Sequence, residues 1–226
     1  MLELRLSHFG VSYNGTPAVI DLSLSFLAGT VTAVTGMIGS GKSTLLRELL
    51  APYLNAVGGF TSQRLLDSEG ETVAFRIGSA RNTPLTAPYH ENYSGVFRVI
   101  TKRGRSLKYP EVFENEGVRY LTDNQGKKLI LLDEIGGAEL LSYRFREELY
   151  NLLAGETPCI GVIKQEVKAK FMSAAAGYEK KLLSYNRELR KLLTSKYDGR
   201  ILQFRRNDDN LRQEIEAFLY KIFTTD

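Results

Sequence analysis

A glycine-rich segment that ends in lysine and serine is the part of the sequence best suited to chemistry. Residues 36–43 read Gly-Met-Ile-Gly-Ser-Gly-Lys-Ser and fit the pattern G-x-x-x-x-G-K-S/T. Glycine lets successive backbone N–H groups point toward phosphate oxygens, and a helix that starts at the loop adds its positive end. The pattern therefore predicts a phosphate-binding loop, whose candidate nucleotide contacts are Gly36, Met37, Ile38, Gly39, Ser40, Gly41, Lys42, Ser43 and Thr44.

Three side chains at the end of this loop have separate predicted tasks. Lys42 is expected to neutralise the β and γ phosphates, and it is a candidate catalytic residue. Ser43 would supply a hydroxyl ligand to Mg²⁺, and Thr44 is placed to reach the α phosphate. Together they predict binding of a nucleoside triphosphate, with magnesium as the cofactor.

Two adjacent carboxylates form the second candidate group. Asp133 and Glu134 directly follow the apolar run at residues 129–132, which places them at the carboxyl end of a predicted buried strand. Ligands bind at that edge in open α/β sheets. We expect Asp133 to hold Mg²⁺ through Ser43 or through water, and Glu134 to orient or deprotonate a water molecule near the γ phosphate.

Hydrophobic patterning predicts the elements that must position these groups. Continuous apolar runs at residues 129–132 and 159–163 are typical of central parallel strands covered on both faces, and residues 31–35 predict a strand that leads into the phosphate loop. Helices are predicted at residues 42–50 and 142–154. Strand, loop and helix in this order indicate an α/β fold with a mainly parallel central sheet.

The regions around this centre predict further elements. Residues 1–30 alternate apolar and polar positions and predict an N-terminal antiparallel hairpin. Residues 51–125 are expected to hold short strands and functional loops. Apolar positions three and four apart predict a long basic helical insertion at residues 164–198, before a strand at 200–204 and a helix that ends near residue 223.

Composition and charge limit the classes of protein that fit. The chain has 226 residues, of which 43% are hydrophobic, and this suits a single domain over residues 1–226. No apolar run approaches the roughly 20 residues that span a bilayer, and the start lacks the residue order of a secretory signal. We therefore expect a cytoplasmic protein without a membrane partner. Residues 164–206 carry a local charge of +8, but no nucleic-acid motif accompanies it, so a nucleic-acid partner is not expected.

Residues 36 to about 218 resemble the small P-loop nucleoside-triphosphatase family first recognised in thermophiles. Two segments carry the resemblance beyond the phosphate loop: Gly58-Gly59-Phe60-Thr61-Ser62 and Asp133-Glu134-Ile135-Gly136-Gly137-Ala138-Glu139. The family usually has threonine where Ser62 stands, and its later Arg-x-Gly-Phe segment has no counterpart here. The resemblance implies slow hydrolysis of ATP, GTP and other nucleoside triphosphates, with Arg64 as a phosphate or transition-state contact.

The first fifty residues resemble the ATP-binding cassette proteins instead. The resemblance rests on the hairpin with Tyr13, on residues 20–24, on Gly29, and on the loop and helix at residues 39–46. It implies that Tyr13 stacks on the adenine, although a turn aromatic that covers the sheet edge is an equally good interpretation. The Leu-Ser-Gly-Gly-Gln signature of that family is absent, so a transporter motor is disfavoured.

Two other functions fit the same residues. A kinase would transfer the γ phosphate to a small nucleoside-like hydroxyl acceptor, held by a loop at residues 58–64, with Arg187 and Arg190 on a lid helix. A nucleotide-dependent switch would instead use the bound triphosphate to order residues 51–125 for a partner protein. For the basic helix itself, a solvated helix packed on the domain by its apolar stripe is the favoured interpretation.

Overall fold

The computed structural model describes residues 3–13, 16–27, 30–37, 40–101, 105–166, 179–204 and 209–224. Within residues 3–27, and at residues 179 and 180, it describes the backbone alone. Ile38 and Gly39 of the predicted phosphate loop, and residues 167–178 of the predicted insertion, lie outside the described residues. The side chain of Tyr13 lies outside them as well.

The described residues form strands, helices and short helical turns. The strands are β1 Glu3–Tyr13, β2 Thr16–Leu27, β3 Val31–Thr35, β4 Val57–Leu66, β5 Thr72–Ser79, β6 Thr86–Pro88, β7 Val96–Ile100, β8 Ser106–Lys108, β9 Leu129–Ile135, β10 Cys159–Ile163 and β11 Arg200–Gln203. The helices are α1 Lys42–Leu50, α2 Val118–Thr122, α3 Tyr143–Leu153, α4 Glu179–Ser195 and α5 Asp209–Thr224. Short 3₁₀ turns lie at Ala51–Ala56 and Ala138–Leu141, and a π-helical turn lies at Phe113–Gly117.

Parallel strands form the centre of the sheet, in the order β11, β3, β10, β9 and β4. Every residue of β3 and β10 is buried, and so is every residue of β9 except Glu134. Strands covered on both faces lose contact with water along their whole length, so a continuous apolar run stabilises them. The predicted mainly parallel sheet is confirmed, and α1 and β10 have the predicted bounds.

An antiparallel extension continues the sheet beyond β4. Strands β5, β7 and β8 follow in that order, each antiparallel to its neighbour, and β6 pairs in parallel with β4. Thr61 of β4 is the last residue in register with β9, where it lies opposite Asp133. Residues 62–66 therefore carry β4 past its pairing with β9, and the extension borders the edge of the sheet at which Asp133 lies.

The predicted acceptor loop at residues 58–64 is wrong, because those residues belong to β4. Gly59 has a φ of +85°, and its N–H donates to the Asn124 side chain at 3.0 Å. A Cβ on Gly59 would lie 2.1 Å from the Leu131 carbonyl oxygen, and a Cβ on Gly58 would lie 2.1 Å from Asn124 Oδ1. Both glycines are required because β4 packs closely against its neighbours.

Helices cover both faces of the central sheet. The face with α1 and α5 buries Leu46, Leu50, Ile215 and Phe218. The face with α3 and α4 buries Phe145, Leu149, Leu189 and Leu193. Full burial of one such side chain contributes about 1.5–3 kcal/mol. None of the helices in the described part of the chain is long and apolar enough to cross a membrane.

The N-terminal strands form a sheet of their own. Strands β1 and β2 pair antiparallel, with Glu3 opposite Leu27 and Tyr13 opposite Thr16. The residues that connect them, 14 and 15, lie outside the described part. The register shifts within the pair mark irregular positions between Leu6 and Ser12.

The single cysteine tests how tightly the parallel centre packs. Cys159 is fully buried in β10, and burial raises the pKa of its thiol to about 12. The thiolate is the form that attacks thiol reagents, so we expect no modification of the native protein at pH 8 and complete modification after unfolding in guanidinium chloride. A colorimetric thiol assay with and without denaturant measures both states. Rapid labelling of the folded protein would contradict this packing.

Candidate functional site

The ends of the phosphate loop lie between β3 and α1. Gly36 and Met37 follow β3, and Gly41 precedes α1 with a φ of +101°, a conformation that favours glycine. Lys42 is 7% exposed, and its Nζ donates to the carbonyl oxygens of Gly36 at 3.0 Å and Met37 at 2.6 Å, and to Ser40 Oγ at 3.2 Å. Burial lowers the pKa of Lys42, while the charges of Glu134 and Asp133 act in the opposite direction. The ammonium group is thus held by the loop from which the backbone N–H groups would bind phosphate.

A buried carboxylate joins three elements next to this loop. Asp133 of β9 is 2% exposed. Its Oδ1 accepts a hydrogen bond from Ser43 Oγ at 2.8 Å, and its Oδ2 accepts one from Thr61 Oγ1 at 2.9 Å. The structure therefore brings the predicted pair Ser43 and Asp133 together. It adds Thr61, which the sequence placed in the predicted acceptor loop and not beside the metal site.

The electrostatic state of Asp133 follows from its burial. Removal from water raises the pKa of its carboxyl group to about 6, although the hydrogen bonds from Ser43 and Thr61 act to lower it. Among the described residues Asp133 forms no ion pair, although the charge of Lys164 also acts to lower the pKa of its carboxyl group. A hydroxyl and a carboxylate also supply the hard oxygen ligands that Mg²⁺ takes. The residues present fit a Mg²⁺ ion held by Ser43 and Asp133.

Glu134 has a partner that the sequence analysis did not single out. Its Oε2 lies 3.2 Å from Lys164 Nζ, and the side chains of Glu134 and Lys164 are 30% and 20% exposed, respectively. Burial acts to lower the pKa of Lys164, but attraction to Glu134 and Glu139 outweighs it and raises the pKa. One signal was available, because Lys164 directly follows the buried run of β10 as Asp133 follows the apolar run of β9. Both therefore lie at the carboxyl edge of the sheet.

The rest of the Asp-Glu-Ile-Gly-Gly-Ala-Glu segment forms a tight turn after β9. Gly136 has a φ of +95°, and a Cβ there would lie 2.6 Å from Asn186 Nδ2. Glu139 is 3% exposed, and its Oε1 accepts the Gly137 N–H at 2.5 Å. The glycines and Glu139 thus shape the turn that follows Glu134.

The described part of the basic insertion packs over the same edge. Asn186 of α4 is fully buried, and its Nδ2 donates to the Gly136 carbonyl oxygen at 2.8 Å. One terminal nitrogen of Arg190 donates to the Lys164 carbonyl oxygen at 2.6 Å and to Thr35 Oγ1 at 3.3 Å. Arg187 instead pairs with Glu166 at 2.5 Å. These contacts favour a helix packed on the domain over a lid with free arginines.

The remaining predicted contacts are placed as follows. Thr44 is exposed in the first turn of α1. Arg64 is exposed three residues beyond Thr61 on β4, and because strand side chains alternate, it lies on the opposite face from Thr61. Its role as a phosphate contact stays a prediction. The same is true of Tyr13, because its side chain lies outside the described residues.

The sheet, the phosphate loop and the carboxylate at the end of β9 define a P-loop nucleotide-binding protein. The sequence model of the family described as NTPase matches residues 31–197. The nucleoside-triphosphatase THEP1 of Thermotoga sp. (strain RQ2) is 34% identical over 140 residues, which cover 58% of this chain and 72% of that protein. The chain belongs to the NTPase family, and it is a nucleoside-triphosphatase.

Two further similarities agree with the resemblances found in the sequence. The crystal structure of THEP1 from the hyperthermophile Aquifex aeolicus matches with a TM-score of 0.56 at 20% identity, and covers 84% of this chain and 99% of that one, which shows a shared fold. The Fe(3+) ions import ATP-binding protein FbpC of Pseudomonas fluorescens is 56% identical over 75 residues, or 32% of this chain and 21% of that protein. Similarity to an ATP-binding cassette protein is therefore confined to part of the chain.

The raised pKa of Asp133 predicts how stability changes with pH in the absence of Mg²⁺. The carboxyl pKa is about 6 in the folded protein against an ordinary value of 3.8, so the native state binds this proton more tightly than the unfolded chain does. Ionisation therefore costs stability, and the cost grows as the pH rises from about 4 to about 6. A shift of about two units corresponds to about 3 kcal/mol. We expect Asp133→Asn to be more stable than the native chain by up to that amount above pH 7, with the difference vanishing near pH 4.

Urea unfolding in the presence of EDTA, at intervals from pH 4 to pH 8, measures this difference. Asp123→Asn replaces an exposed carboxylate and is the matched control. A stability difference between Asp133→Asn and the native chain that stays constant over this range would show that ionisation of Asp133 does not reduce the stability of the folded state.

Proposed function

We propose that the protein hydrolyses the terminal phosphate of ATP, GTP and other nucleoside triphosphates in a Mg²⁺-dependent reaction in the cytoplasm. The observation that carries the proposal is the cluster of Ser43, Asp133 and Thr61, which lies beside the phosphate loop and next to Glu134. The THEP1 relatives, which are described as nucleoside-triphosphatases, support the same activity.

The phosphate loop and α1 would bind the triphosphate. Backbone N–H groups of the loop would contact phosphate oxygens, and the N-terminal end of α1 adds a favourable dipole. Lys42 Nζ would exchange its contacts with the Gly36 and Met37 carbonyl oxygens for the β and γ phosphates. Thr44 is exposed in the first turn and would contact the α phosphate.

Ser43 and Asp133 would hold Mg²⁺, which when bound supplies positive charge to the phosphate oxygens. Thr61 would keep the Asp133 carboxylate in place through its hydrogen bond to Oδ2. In this arrangement Thr61 positions a metal ligand and does not itself contact the nucleotide. Binding of Mg²⁺ would thus offset the cost of burying the Asp133 carboxylate.

Glu134 would orient the attacking water. Its side chain is 30% exposed, so solvent reaches it, and Lys164 Nζ at 3.2 Å from Oε2 fixes the carboxylate. The water oxygen would form a bond to the γ phosphorus, the bond between that phosphorus and the β–γ bridging oxygen would break, and Glu134 would accept the water proton. The products are a nucleoside diphosphate and inorganic phosphate.

Recognition of the base is proposed to be weak. Each group assigned above contacts phosphate, the metal or water, so none of them distinguishes one base from another. For Tyr13 we propose stacking on the base, as its resemblance to the cassette proteins implies. Because every base has an aromatic face, such stacking would tolerate ATP, GTP, CTP and UTP alike.

Release of phosphate from ATP, GTP, CTP and UTP tests the proposal. We expect turnover of all four with Mg²⁺ and its loss in EDTA. Glu134→Gln removes the proton acceptor but keeps the side-chain volume, so kcat should fall by about 10²–10⁴-fold while nucleotide binding persists. Lys42→Ala should weaken nucleotide binding as well, because it removes the charge that faces the phosphates.

Glu147→Gln is the matched control, since Glu147 is exposed on α3 and has no assigned role. A steady-state assay for phosphate, together with a fluorescent-nucleotide binding assay, separates binding from turnover. Native turnover that persists in EDTA, or a Glu134→Gln variant as active as Glu147→Gln, would refute the assignment.

A further inference from the structure

A row of cations crosses the antiparallel extension of the sheet. Arg64 of β4 lies opposite Phe75 of β5, Phe75 lies opposite Arg98 of β7, and Arg98 lies opposite Lys108 of β8. Residues directly opposite in antiparallel strands share a face of the sheet. Arg64, Arg98 and Lys108, which we call the basic row, therefore lie on one face, and three strand spacings of about 4.8 Å give a length of roughly 14 Å.

Among the described residues, the partners found for the basic row are uncharged. Arg98 Nε donates to Ser106 Oγ at 2.8 Å, and its guanidinium group lies 5.1 Å from the centre of the Phe75 ring. Within the described part of the chain, neither Arg98 nor Lys108 forms an ion pair with a carboxylate. Like charges directly opposite each other in a sheet are unfavourable, so this arrangement weakens the ligand-free protein.

Partial burial makes these uncompensated positive charges more costly. Arg98 and Lys108 are both partly buried. Burial lowers the pKa of both side chains, and the charge of Arg98 lowers the pKa of Lys108 further. Ser106 and Phe75 replace part of the hydration that Arg98 loses, but neither of them supplies a negative charge. Such a cluster is stabilised when an anion binds between its members.

The basic row also lies near the candidate active site. The charge of Lys164 acts on Lys108, and Lys164 Nζ is itself 3.2 Å from Glu134 Oε2. The Lys108 end of the row therefore lies within electrostatic range of Lys164.

We propose that the basic row is a binding site for a second, phosphate-bearing small molecule, distinct from the nucleoside triphosphate in the phosphate loop. A phosphate monoester carries up to two negative charges and matches the adjacent cations Arg98 and Lys108, whereas a carboxylate would neutralise one. The Arg98 guanidinium group lies over the Phe75 ring and its Nε donates to Ser106, so its two terminal nitrogens would donate hydrogen bonds to phosphate oxygens. Arg64 would bind a more distant anionic or polar part of the same ligand.

Two kinds of molecule could supply the phosphate group that binds the basic row: a phosphorylated second substrate, or the phosphate released by hydrolysis. The site does not depend on the hydrolytic reaction, because binding is measured without turnover. Isothermal titration of the native chain with AMP, GMP, CMP, UMP and inorganic phosphate therefore tests it directly. Tighter binding of a nucleoside monophosphate indicates a second substrate, and equal binding of inorganic phosphate indicates a product site.

Arg98→Gln and Lys108→Gln are the test variants, and Arg81→Gln is the matched control, because Arg81 is exposed beyond β5 and outside the row. We expect each test variant to weaken phosphate binding about tenfold or more, and the control to change it less than about twofold. Lys42→Ala should retain this binding. Thermal unfolding without ligand should show Lys108→Gln to be at least as stable as the native chain, since it relieves repulsion.

Three results would contradict the proposed phosphate site on the basic row. Equal affinity of the test variants and Arg81→Gln would show that the row binds no phosphate. Complete loss of monophosphate binding in Lys42→Ala would place all phosphate binding in the phosphate loop. A lower melting temperature of ligand-free Lys108→Gln would show that the cations stabilise the sheet and are not held for a ligand.

Discussion

The arrangement of the candidate site depends on the two hydrogen bonds to the buried side chain of Asp133. Ser43 in α1 and Thr61 in β4 each donate to one oxygen of this group. A hydrogen bond to a charged group contributes about 1.5–3 kcal/mol, which partly offsets the loss of water around the carboxylate. The two bonds fix the phosphate helix, β9 and β4 relative to one another. Glu134, as the next residue, is thereby placed beside the phosphate loop.

The carboxyl edge of a parallel sheet also presents backbone carbonyl groups that need partners once they are buried. Helix α4 supplies them. Asn186 donates to the carbonyl of Gly136, and Arg190 donates to that of Lys164. The same Arg190 nitrogen reaches Thr35 at the end of β3, one residue before the phosphate loop. The described part of the basic insertion thus ties together the ends of three strands, and its positive charge is partly used within the fold.

The central sheet and its antiparallel extension differ in how they handle charge. In the centre, Lys164 pairs with Glu134, and the oxygens of Asp133 have hydroxyl partners. In the extension, Arg98 and Lys108 lie opposite each other, and no carboxylate of the described residues forms an ion pair with either of them. Proteins commonly keep energetically unfavourable groups at sites where a bound ligand compensates for them. Uncompensated charge within a fold therefore often marks a functional site. The charged groups of the central sheet are therefore balanced within the protein, whereas those of the basic row would be balanced by a bound ligand.

The sequence by itself determined the phosphate loop, the buried strands and the position of Asp133, because each depends on a pattern over a few neighbouring residues. Continuous apolar runs and helical spacing reflect local burial, so β10 and α1 were predicted with their observed bounds. Only the tertiary structure decided which residues meet. Thr61 and Asp133 are 72 residues apart, and Asn186 and Gly136 are 50 apart. Such contacts depend on the order and register of parallel strands, which no local pattern encodes. For the same reason residues 58–64 were predicted as a loop, although their two glycines allow β4 to pack closely.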